Sequence, residues 1–168
     1  MSFVDGLHVV DMPPVQDHKR AFVGDEGPNT GGMGSYSDAN HLLPFLTKND
    51  LEDAHEITVQ VAKALHQETG EYFKGIMYGG FMVTKHGVKL IEYNARFGDP
   101  EVMNVLPIMK TDFSDVCEAI IAGTLNLLKV EFEKKATVCK YLVPDGYPDH
   151  PKAGEKITID LDALKNTK

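Results

Sequence analysis

Residues 75–94 read GIMYGGFMVT-KHG-VKLIEYN, two largely apolar runs separated by a short turn that contains glycine. This pattern predicts an antiparallel β-hairpin, with an outgoing strand over Gly75–Thr84 and a returning strand over Val88–Asn94. The outgoing run is apolar at both its odd and its even positions, which predicts that both faces of this strand are covered. Gly79 and Gly80 within it indicate that other groups approach the backbone closely.

A row of polar residues follows at the end of the returning strand. Glu92, Asn94 and Arg96 occupy alternate positions, and alternate side chains of a strand point to the same face. Val88 and Leu90 have the same parity, so this face is expected to change from apolar to polar along the strand. Carboxylate and amide oxygens are ligands for a hard cation such as Mg²⁺, and a neighbouring guanidinium binds phosphate. The row therefore predicts a site for a metal and a phosphate group.

Plainer interpretations of the same residues stay open. Polar alternation also occurs on a strand that faces water. Arg96 can form a surface ion pair with Asp99 or Glu101. Asp99, with Pro100 at the next position, can also begin a helix as its N-cap.

A second polar segment precedes the hairpin. Residues 11–36 contain several Pro-rich and Gly-rich clusters and little periodicity, which predicts a long loop with a functional role. Within it, residues 25–34 read DEGPNTGGMG. Asn29 and Thr30 offer side-chain donors and acceptors beside the backbone N–H groups of the two glycines that follow. The alternative is that these glycines only form turns.

Composition sets the broad class. The 168 residues are 42% hydrophobic with a net charge of −8, enough for one domain or for parts of two. An acidic chain is a poor nucleic-acid binder, and its short basic cluster, His18–Arg20, either binds one phosphate group or is solvated. Cys117 and Cys139 lie in apolar stretches and fit buried thiols in a reducing compartment. Because no apolar run has the length of a membrane span and no signal peptide opens the chain, we expect a cytoplasmic protein.

The remaining segments predict an α+β fold. Helices are expected from a cap at Thr47 or Asn49 to about Gln67, from Asp99 to about Ile108, and from Asp112, after an N-cap at Thr111, to Ala122. Strand-like runs cover residues 7–10, 134–143 and 156–160. A change in composition places a domain boundary near residues 125–135.

Several stretches resemble the phosphoribosylamine–glycine ligases, also called glycinamide ribonucleotide synthetases, which are ATP-grasp enzymes of early purine biosynthesis. The stretches are MPPVQDHKR (12–20), GPNTGGMGSY (27–36), GIMYGGFM (75–82), EYNARFGDPE (92–101) and, more briefly, GYP (146–148) with Gly154. The resemblance implies that residues 1–125 form part of an ATP-grasp domain, the large lobe with an antiparallel sheet and flanking helices. It implies that residues 126–168 begin a small β-rich C-terminal domain.

The resemblance also implies a reaction. ATP, the co-substrate, would phosphorylate the carboxylate of glycine to give glycyl phosphate. The amine of 5-phosphoribosylamine would then attack, giving glycinamide ribonucleotide, ADP and phosphate. The expected cofactor is Mg²⁺ or Mn²⁺.

Site residues follow from the same resemblance. Glu92 and Asn94 would bind the metal, and Arg96 would be the catalytic residue that stabilises the transferring phosphoryl group. The residues expected to bind substrates are Asn29, Thr30, Gly31 and Gly32 for glycine or the acyl phosphate, and Lys19, Arg20, Asp25 and Asp99 for the ribose phosphate or for ordering the loop.

The chain corresponds to well under half of such an enzyme. We therefore expect a fragment that carries the metal and acceptor half of the site and is inactive alone. Its partners would be ATP, glycine and 5-phosphoribosylamine, without nucleic acid or membrane, and it would associate with the N-terminal part of a ligase or with itself. Two alternatives stay open: another ATP-grasp carboxylate–amine ligase, and a non-catalytic module that binds a partner chain.

Overall fold

The computed structural model describes residues 1–165 as two antiparallel sheets with flanking helices. The strands are β1 (Ser2–Val4), β2 (Val9–Asp11), β3 (Gln16–Phe22), β4 (Glu26–Ser37), β5 (Gly75–Thr84), β6 (Gly87–Asn94) and β7 (Thr137–Lys140). The helices are α1 (Lys48–Thr69), α2 (Val102–Val105), α3 (Phe113–Ala122) and α4 (Leu161–Lys165), with 3₁₀ turns at Leu106–Ile108 and Leu125–Leu127. One sheet has the order β2-β1-β5-β6 and the other β3-β4-β7. This confirms the predicted mixed fold with an antiparallel sheet.

The four-stranded sheet is packed on both faces near β1. On one face, Val4 and Met77 pack against Ala62 of α1. On the other face, Phe3 packs in a second buried cluster with Val116 of α3. The sheet is therefore a central layer between α1 and α3.

The hairpin formed by β5 and β6 has the predicted bounds within one residue, but only its first half is covered. Ile76 and Met77 pack into the two buried clusters on opposite faces of the sheet. Met82 and Val83, nearer the turn, are 54% and 42% exposed. The prediction that the whole outgoing strand is covered on both faces is therefore wrong beyond about Gly79. A Cβ at Gly79 would lie 2.9 Å from Tyr93 Cε1, so the predicted close approach is confirmed there.

A β-bulge interrupts β6 at Ile91. Phe81 pairs with Leu90, but the next residue of β5, Gly80, pairs with Glu92. Ile91 is therefore an extra residue without a partner, and alternation is reset after it. Leu90 shares the face of Phe81, whereas Glu92 lies on the opposite one. The expectation that Val88 and Leu90 share the face of the polar row is therefore wrong.

The segment predicted as a long loop is instead largely a second hairpin, β3 with β4. Its pairs include His18 with Gly34 and Arg20 with Asn29. Between these two pairs, β4 has residues 30–33 where β3 has only Lys19. The loop prediction failed because the paired positions, apart from Phe22 and Tyr36, are polar or glycine, so they show no hydrophobic alternation. The wide bulge over residues 30–33 is the loop-like part of this segment.

Helix α1 starts at the predicted cap. The Thr47 side chain accepts a hydrogen bond from the Asp50 amide, and the Asp50 carboxylate accepts one from the Thr47 amide, which is a capping box. The helix ends at Gly70, where φ is 75°. For α3 the cap is Asp112 rather than the predicted Thr111, because the Thr111 hydroxyl is bonded to the backbone of Lys129 and Glu131.

The helix predicted over residues 99–108 is much shorter than expected. Asp99 and Pro100 lie outside it, since α2 begins at Val102 and gives way to a 3₁₀ turn at Leu106. The Asp99 side chain accepts a hydrogen bond from the Tyr141 hydroxyl instead of capping the helix. Pro107 has no amide hydrogen for a longer α-helix. The prediction of Asp99 as an N-cap is therefore wrong.

A buried polar network fixes α2 against the three-stranded sheet. Asn104 is fully buried, and its Oδ1 accepts a hydrogen bond from the Ser35 hydroxyl of β4. Its Nδ2 donates to Thr137 Oγ1 of β7 over 3.1 Å. The loop that leads into α2 is thereby held beside β4.

The remaining predictions have mixed outcomes. The strand-like run at 7–10 overlaps β2, and the run at 134–143 contains β7, but residues 156–160 form no strand. Cys117 and Cys139 are free thiols, half-buried rather than buried. Within residues 1–165, none of the helices combines the length and the apolar character that a membrane crossing requires.

Candidate functional site

The polar row predicted on β6 lies together at the end of the strand. Asn94 Nδ2 donates to Glu92 Oε1 over 3.4 Å, and Arg96 Nη2 donates to Asn94 Oδ1 over 3.4 Å. Arg96 Nη1 also donates to the backbone oxygen of Phe97 over 2.7 Å. Within residues 1–165, Arg96 forms no ion pair with Asp99 or Glu101, so that alternative is not seen. The two 3.4 Å bonds are long and weak, so they leave Glu92 and Asn94 able to turn toward a ligand, whereas Arg96 is also held by the backbone of Phe97.

The donor set of this row fits part of a magnesium or manganese site. Glu92 supplies carboxylate oxygens and Asn94 an amide oxygen, which are hard ligands. In the part of the chain that the structure describes, no group of three or more His, Cys, Asp or Glu side chains could hold a metal. Mg²⁺ commonly takes one or two protein ligands and completes its shell with phosphates and water. The row therefore fits a cation that arrives with a nucleotide, beside the positive charge of Arg96.

Tyr78 connects this row to two carboxylates that sequence reasoning missed, Asp17 and Glu101, which we call the buried acidic pair. It lies opposite Asn94 in the β5–β6 ladder, and its hydroxyl donates a hydrogen bond to Oε1 of Glu101. Burial raises the pKa of Tyr78, and this bond and the charges of Glu101, Asp17 and Glu92 raise it further. The phenol is thus held neutral among three carboxylates.

The bulge of β4 lies against the loop that carries Asp99. Thr30 Oγ1 donates to the Lys19 carbonyl over 2.9 Å and accepts the Gly32 amide over 3.1 Å. The Gly32 amide is therefore bonded, contrary to the expectation of free N–H groups in this run. A Cβ at Gly32 would lie 3.2 Å from Asp17 Oδ1 and 3.2 Å from the Asp99 carbonyl oxygen. Glycine is required here because the two segments meet so closely.

Of the other predicted substrate residues, Lys19 and Gly31 lie at the bulge, whereas Arg20, Asp25 and Asn29 lie farther along the hairpin. Lys19 Nζ lies 4.0 Å from Asp17 Oδ2. Beyond the bulge, Arg20 Nη1 donates to the Gly27 carbonyl over 2.7 Å, and Arg20 pairs with Asn29 in the ladder. Asp25 is exposed in the hairpin turn, with a φ of 62°. Gly31 lies in the bulge, where a Cβ would meet nothing within 4 Å. Among residues 1–165, no hydrogen bond joins Arg20, Asp25 or Asn29 to Asp17 or Asp99.

The Asp99 carboxylate is anchored on one side. It accepts a hydrogen bond from the Tyr141 hydroxyl, which raises the pKa of Tyr141 to about 12. Tyr141 directly follows β7, and its amide donates to the Met33 carbonyl in the β4 bulge over 3.0 Å. The bulge, Asp99 and the end of β7 therefore form one wall of the site.

Comparisons with known proteins point to one family. Residues 1–102 match the family model described as the phosphoribosylglycinamide synthetase ATP-grasp (A) domain. A Methanocaldococcus jannaschii protein named phosphoribosylamine–glycine ligase is 59% identical over 166 residues, covering 99% of this chain and 37% of that protein. A protein of the same name from Methanocorpusculum labreanum is 61% identical over 159 residues, covering 95% of this chain and 37% of its own length.

A solved structure is also similar. The crystal structure of phosphoribosylamine–glycine ligase from Thermotoga maritima superposes with a TM-score of 0.75 at 31% identity, covering 95% of this chain and 39% of that one. The chain thus spans a little over a third of the length of the relatives that it matches.

Proposed function

The chain belongs to the phosphoribosylglycinamide synthetase family of ATP-grasp proteins, and we propose that it supplies the metal-binding and acceptor-binding part of an ATP-dependent carboxylate–amine ligase. The reaction is the ligation of glycine to 5-phosphoribosylamine through glycyl phosphate, with release of ADP and phosphate. The names of the similar proteins support this choice of substrates. The observation that carries the proposal is the row of Glu92, Asn94 and Arg96, which the Ile91 bulge turns away from α1.

The chemistry requires charge to be held in place. A carboxylate and a triphosphate repel each other, so fixed positive charge must bring them together. Glu92 and Asn94 would hold Mg²⁺ or Mn²⁺, which would neutralise phosphate oxygens when bound. The exposed guanidinium of Arg96 would turn from Asn94 to the transferring phosphoryl group and stabilise its charge. No side-chain nucleophile is needed, since the acyl phosphate forms by direct transfer.

The acceptor side of the site is the wall around the β4 bulge. Thr30, Gly31 and Gly32 would lie along glycine or its acyl phosphate, with the Thr30 hydroxyl already fixed by the Lys19 carbonyl. The Lys19 ammonium and Asp99 are close enough to this bulge to bind the second substrate. Arg20 and Asp25, expected at the ribose phosphate, and Asn29, expected at glycine or the acyl phosphate, lie farther along the β3–β4 hairpin. We propose that they reach these substrates only if that hairpin bends over the site.

A chimeric ligase tests the function directly. In the full-length Methanocaldococcus jannaschii relative, the matching segment would be replaced by this chain, and ADP release would be followed with ATP, Mg²⁺, glycine and freshly generated 5-phosphoribosylamine. We expect release that requires both substrates and that falls about a hundredfold or more in kcat when Arg96→Met removes the guanidinium. Lys63→Met, on the exposed side of α1, is the matched control.

Two results would contradict the proposal. A folded chimera that releases ADP with another amino acid but not with glycine would identify a different carboxylate–amine ligase. Full activity of the Arg96→Met chimera would remove the role of the row. For the 168-residue chain alone we expect no release above the blank, because it matches 37% of the length of its relatives. Substrate-dependent release by the chain alone would show that it is sufficient for catalysis.

Exposed apolar side chains favour a second role, association with another polypeptide. On the β5–β6 hairpin, Met82 is 54% exposed, Val83 42% and Ile91 63%. Exposed apolar side chains on an outer hairpin are typical of a segment that contacts another polypeptide. We propose that it packs against another part of a complete ligase or against a second copy. Sedimentation over a hundredfold range of concentration tests self-association, and a constant monomer mass would exclude the second copy.

A further inference from the structure

Two buried carboxylates beside Tyr78 have oxygens without partners. Glu101 is 2% exposed; its Oε1 accepts the Tyr78 hydroxyl, but its Oε2 accepts no hydrogen bond. The side chain of Asp17 is 11% exposed, and neither of its oxygens accepts a hydrogen bond. Among residues 1–165, four buried side-chain polar atoms lack a partner, and three of them are these oxygens.

Glycines line this pair where other side chains would fill the space. A Cβ at Gly98 would lie 2.5 Å from Glu101 Oε2, and one at Gly32 would lie 3.2 Å from Asp17 Oδ1. Gly32 belongs to the β4 bulge and Gly98 to the loop after β6. The two unpartnered carboxylates therefore lie where the bulge meets that loop, next to the wall assigned above to the acceptor substrate.

The electrostatics of the pair favour a cation. Burial and the charge of Glu101 raise the pKa of Asp17, whereas Lys19 and the adjacent His18 oppose the rise without cancelling it. Lys19 is 4.0 Å away from Asp17, beyond hydrogen-bond distance. Leaving a buried carboxylate without a hydrogen-bond donor costs free energy, and a charged donor restores it. The pair is thus organised for a positively charged hydrogen-bond donor.

We propose that Asp17 and Glu101 bind the primary ammonium or amine group of a substrate of the proposed ligase. An ammonium has three N–H donors, and the pair offers three unpartnered oxygens. Two carboxylates can also hold a divalent cation, so the experiment below includes Mn²⁺ to distinguish a metal from an amine. This inference rests on the proposed function, which supplies the two amines that are considered. Glycine and 5-phosphoribosylamine both carry the required group.

Titrations followed by the backbone amide resonances of His18 and Gly98 test the proposal on the 168-residue chain. The first pair of ligands is glycine and its trimethylated analogue betaine, which keeps the carboxylate and loses every N–H donor. The second pair is ribose 5-phosphate with ammonium chloride, which forms the phosphoribosylamine, and ribose 5-phosphate alone. Methylammonium chloride reports on the ammonium group by itself. If binding requires the amine in only one of these two pairs, that pair shows whether glycine or phosphoribosylamine supplies the bound amine.

We expect amine-dependent shifts with one of these ligands and binding at least about tenfold weaker when its N–H donors are removed. Asp17→Asn and Glu101→Gln should weaken that binding by a similar factor. Asp53→Asn and Glu56→Gln, two exposed positions of α1, should leave it unchanged. The comparison of glycine with betaine uses the unaltered protein, so it does not depend on the folding of any variant.

Three results would overturn the proposal. The first is equal binding of glycine and betaine together with equal binding of ribose 5-phosphate with and without ammonium. The second is no shift from any primary amine at about 50 mM, roughly the weakest dissociation constant expected for one hydrogen-bonded ion. The third is Mn²⁺ broadening of both amides that Asp17→Asn abolishes, which would indicate a metal site. Ligase activity is measured separately in the chimera, so failure of the proposed function and failure of this inference give different results.

Discussion

The hydroxyl of Tyr78, in β5, donates a hydrogen bond to the carboxylate of Glu101, in the loop before α2. Tyr78 also lies opposite Asn94 in the ladder with β6. Tyr78 therefore links the two halves of the candidate site: its backbone pairs beside the polar row, and its hydroxyl is bonded to one of the buried carboxylates.

The first prediction concerns this bond. Tyr78→Phe leaves Glu101 Oε1 without its donor in a buried position, so we expect the free energy of unfolding to fall by about 1 to 3 kcal/mol. Urea denaturation measures the change. Tyr72→Phe, at a tyrosine that is 46% exposed, should change it by less than about 0.5 kcal/mol. Equal effects of the two substitutions would show that the bond contributes nothing specific.

The second prediction concerns the pH dependence of stability. Burial and the charge of Glu101 raise the pKa of Asp17 from 3.8 to about 6, so the folded state holds this proton more tightly than the unfolded state. The stabilisation is complete below about pH 4 and is lost as pH rises through about 6. Asp17→Asn removes this dependence. The stability of the variant relative to the parent should therefore rise by roughly 1 to 3 kcal/mol between pH 4 and pH 7.

Urea denaturation at half-unit steps of pH checks this difference. Asp53→Asn, at an exposed carboxylate of α1, should give a constant offset from the parent across the same range. A constant offset for Asp17→Asn as well, or one that shrinks as pH rises, would show that Asp17 titrates as an ordinary aspartate.

The third prediction concerns the metal. Glu92→Gln should weaken Mn²⁺ binding by at least about tenfold, the loss that even an outer-shell partner can cause, because a neutral amide replaces the charged ligand. The electron paramagnetic resonance signal of free Mn²⁺ measures binding. Glu68→Gln, on an exposed turn of α1, should bind Mn²⁺ like the parent. If both variants bind alike, the cation is held elsewhere.

The fourth prediction concerns the buried amide that joins α2 to the sheet. Asn104→Ala removes the partners of Ser35 and Thr137 and leaves a cavity, so we expect the free energy of unfolding to fall by about 2 to 4 kcal/mol. Asn126→Ala, at an exposed position, should cost less than about 0.5 kcal/mol. Thermal unfolding followed by circular dichroism checks both. A small loss for Asn104→Ala would mean that the network adjusts without it.

The sequence predicted the elements whose signals are local. The β5–β6 hairpin has a glycine turn between apolar runs, and α1 has a capping residue and a glycine stop, so both could be located within about two residues. The β3–β4 hairpin was missed because most of its paired positions are polar or glycine, and β7, the other neighbour of β4, comes about a hundred residues later in the chain. The division of the chain near residues 125–135 stays a prediction.

For the candidate site too, only the residues with a local signal could be predicted. Glu92, Asn94 and Arg96 alternate along the end of β6 and the two residues after it. Asp17 and Glu101 were missed, although both lie inside the stretches that resemble the ligase family, because their shared property is burial. Burial of a carboxylate depends on the meeting of β3, β5 and the loop before α2, which no local pattern shows. A cue was present in Gly32 and Gly98, since closely packed segments require glycine.

The register of β6 around its bulge, rather than the identity of the extra residue, sets the face on which the polar row lies. Ile91 is 63% exposed, so many side chains are tolerable at its position. If the strand slipped by one residue so that Ile91 paired with Gly80, the bulge would close and Glu92 and Asn94 would turn to the face of α1. Deletion of Ile91 would instead keep Glu92 opposite Gly80, so this residue can be changed or lost while the polar row keeps its face.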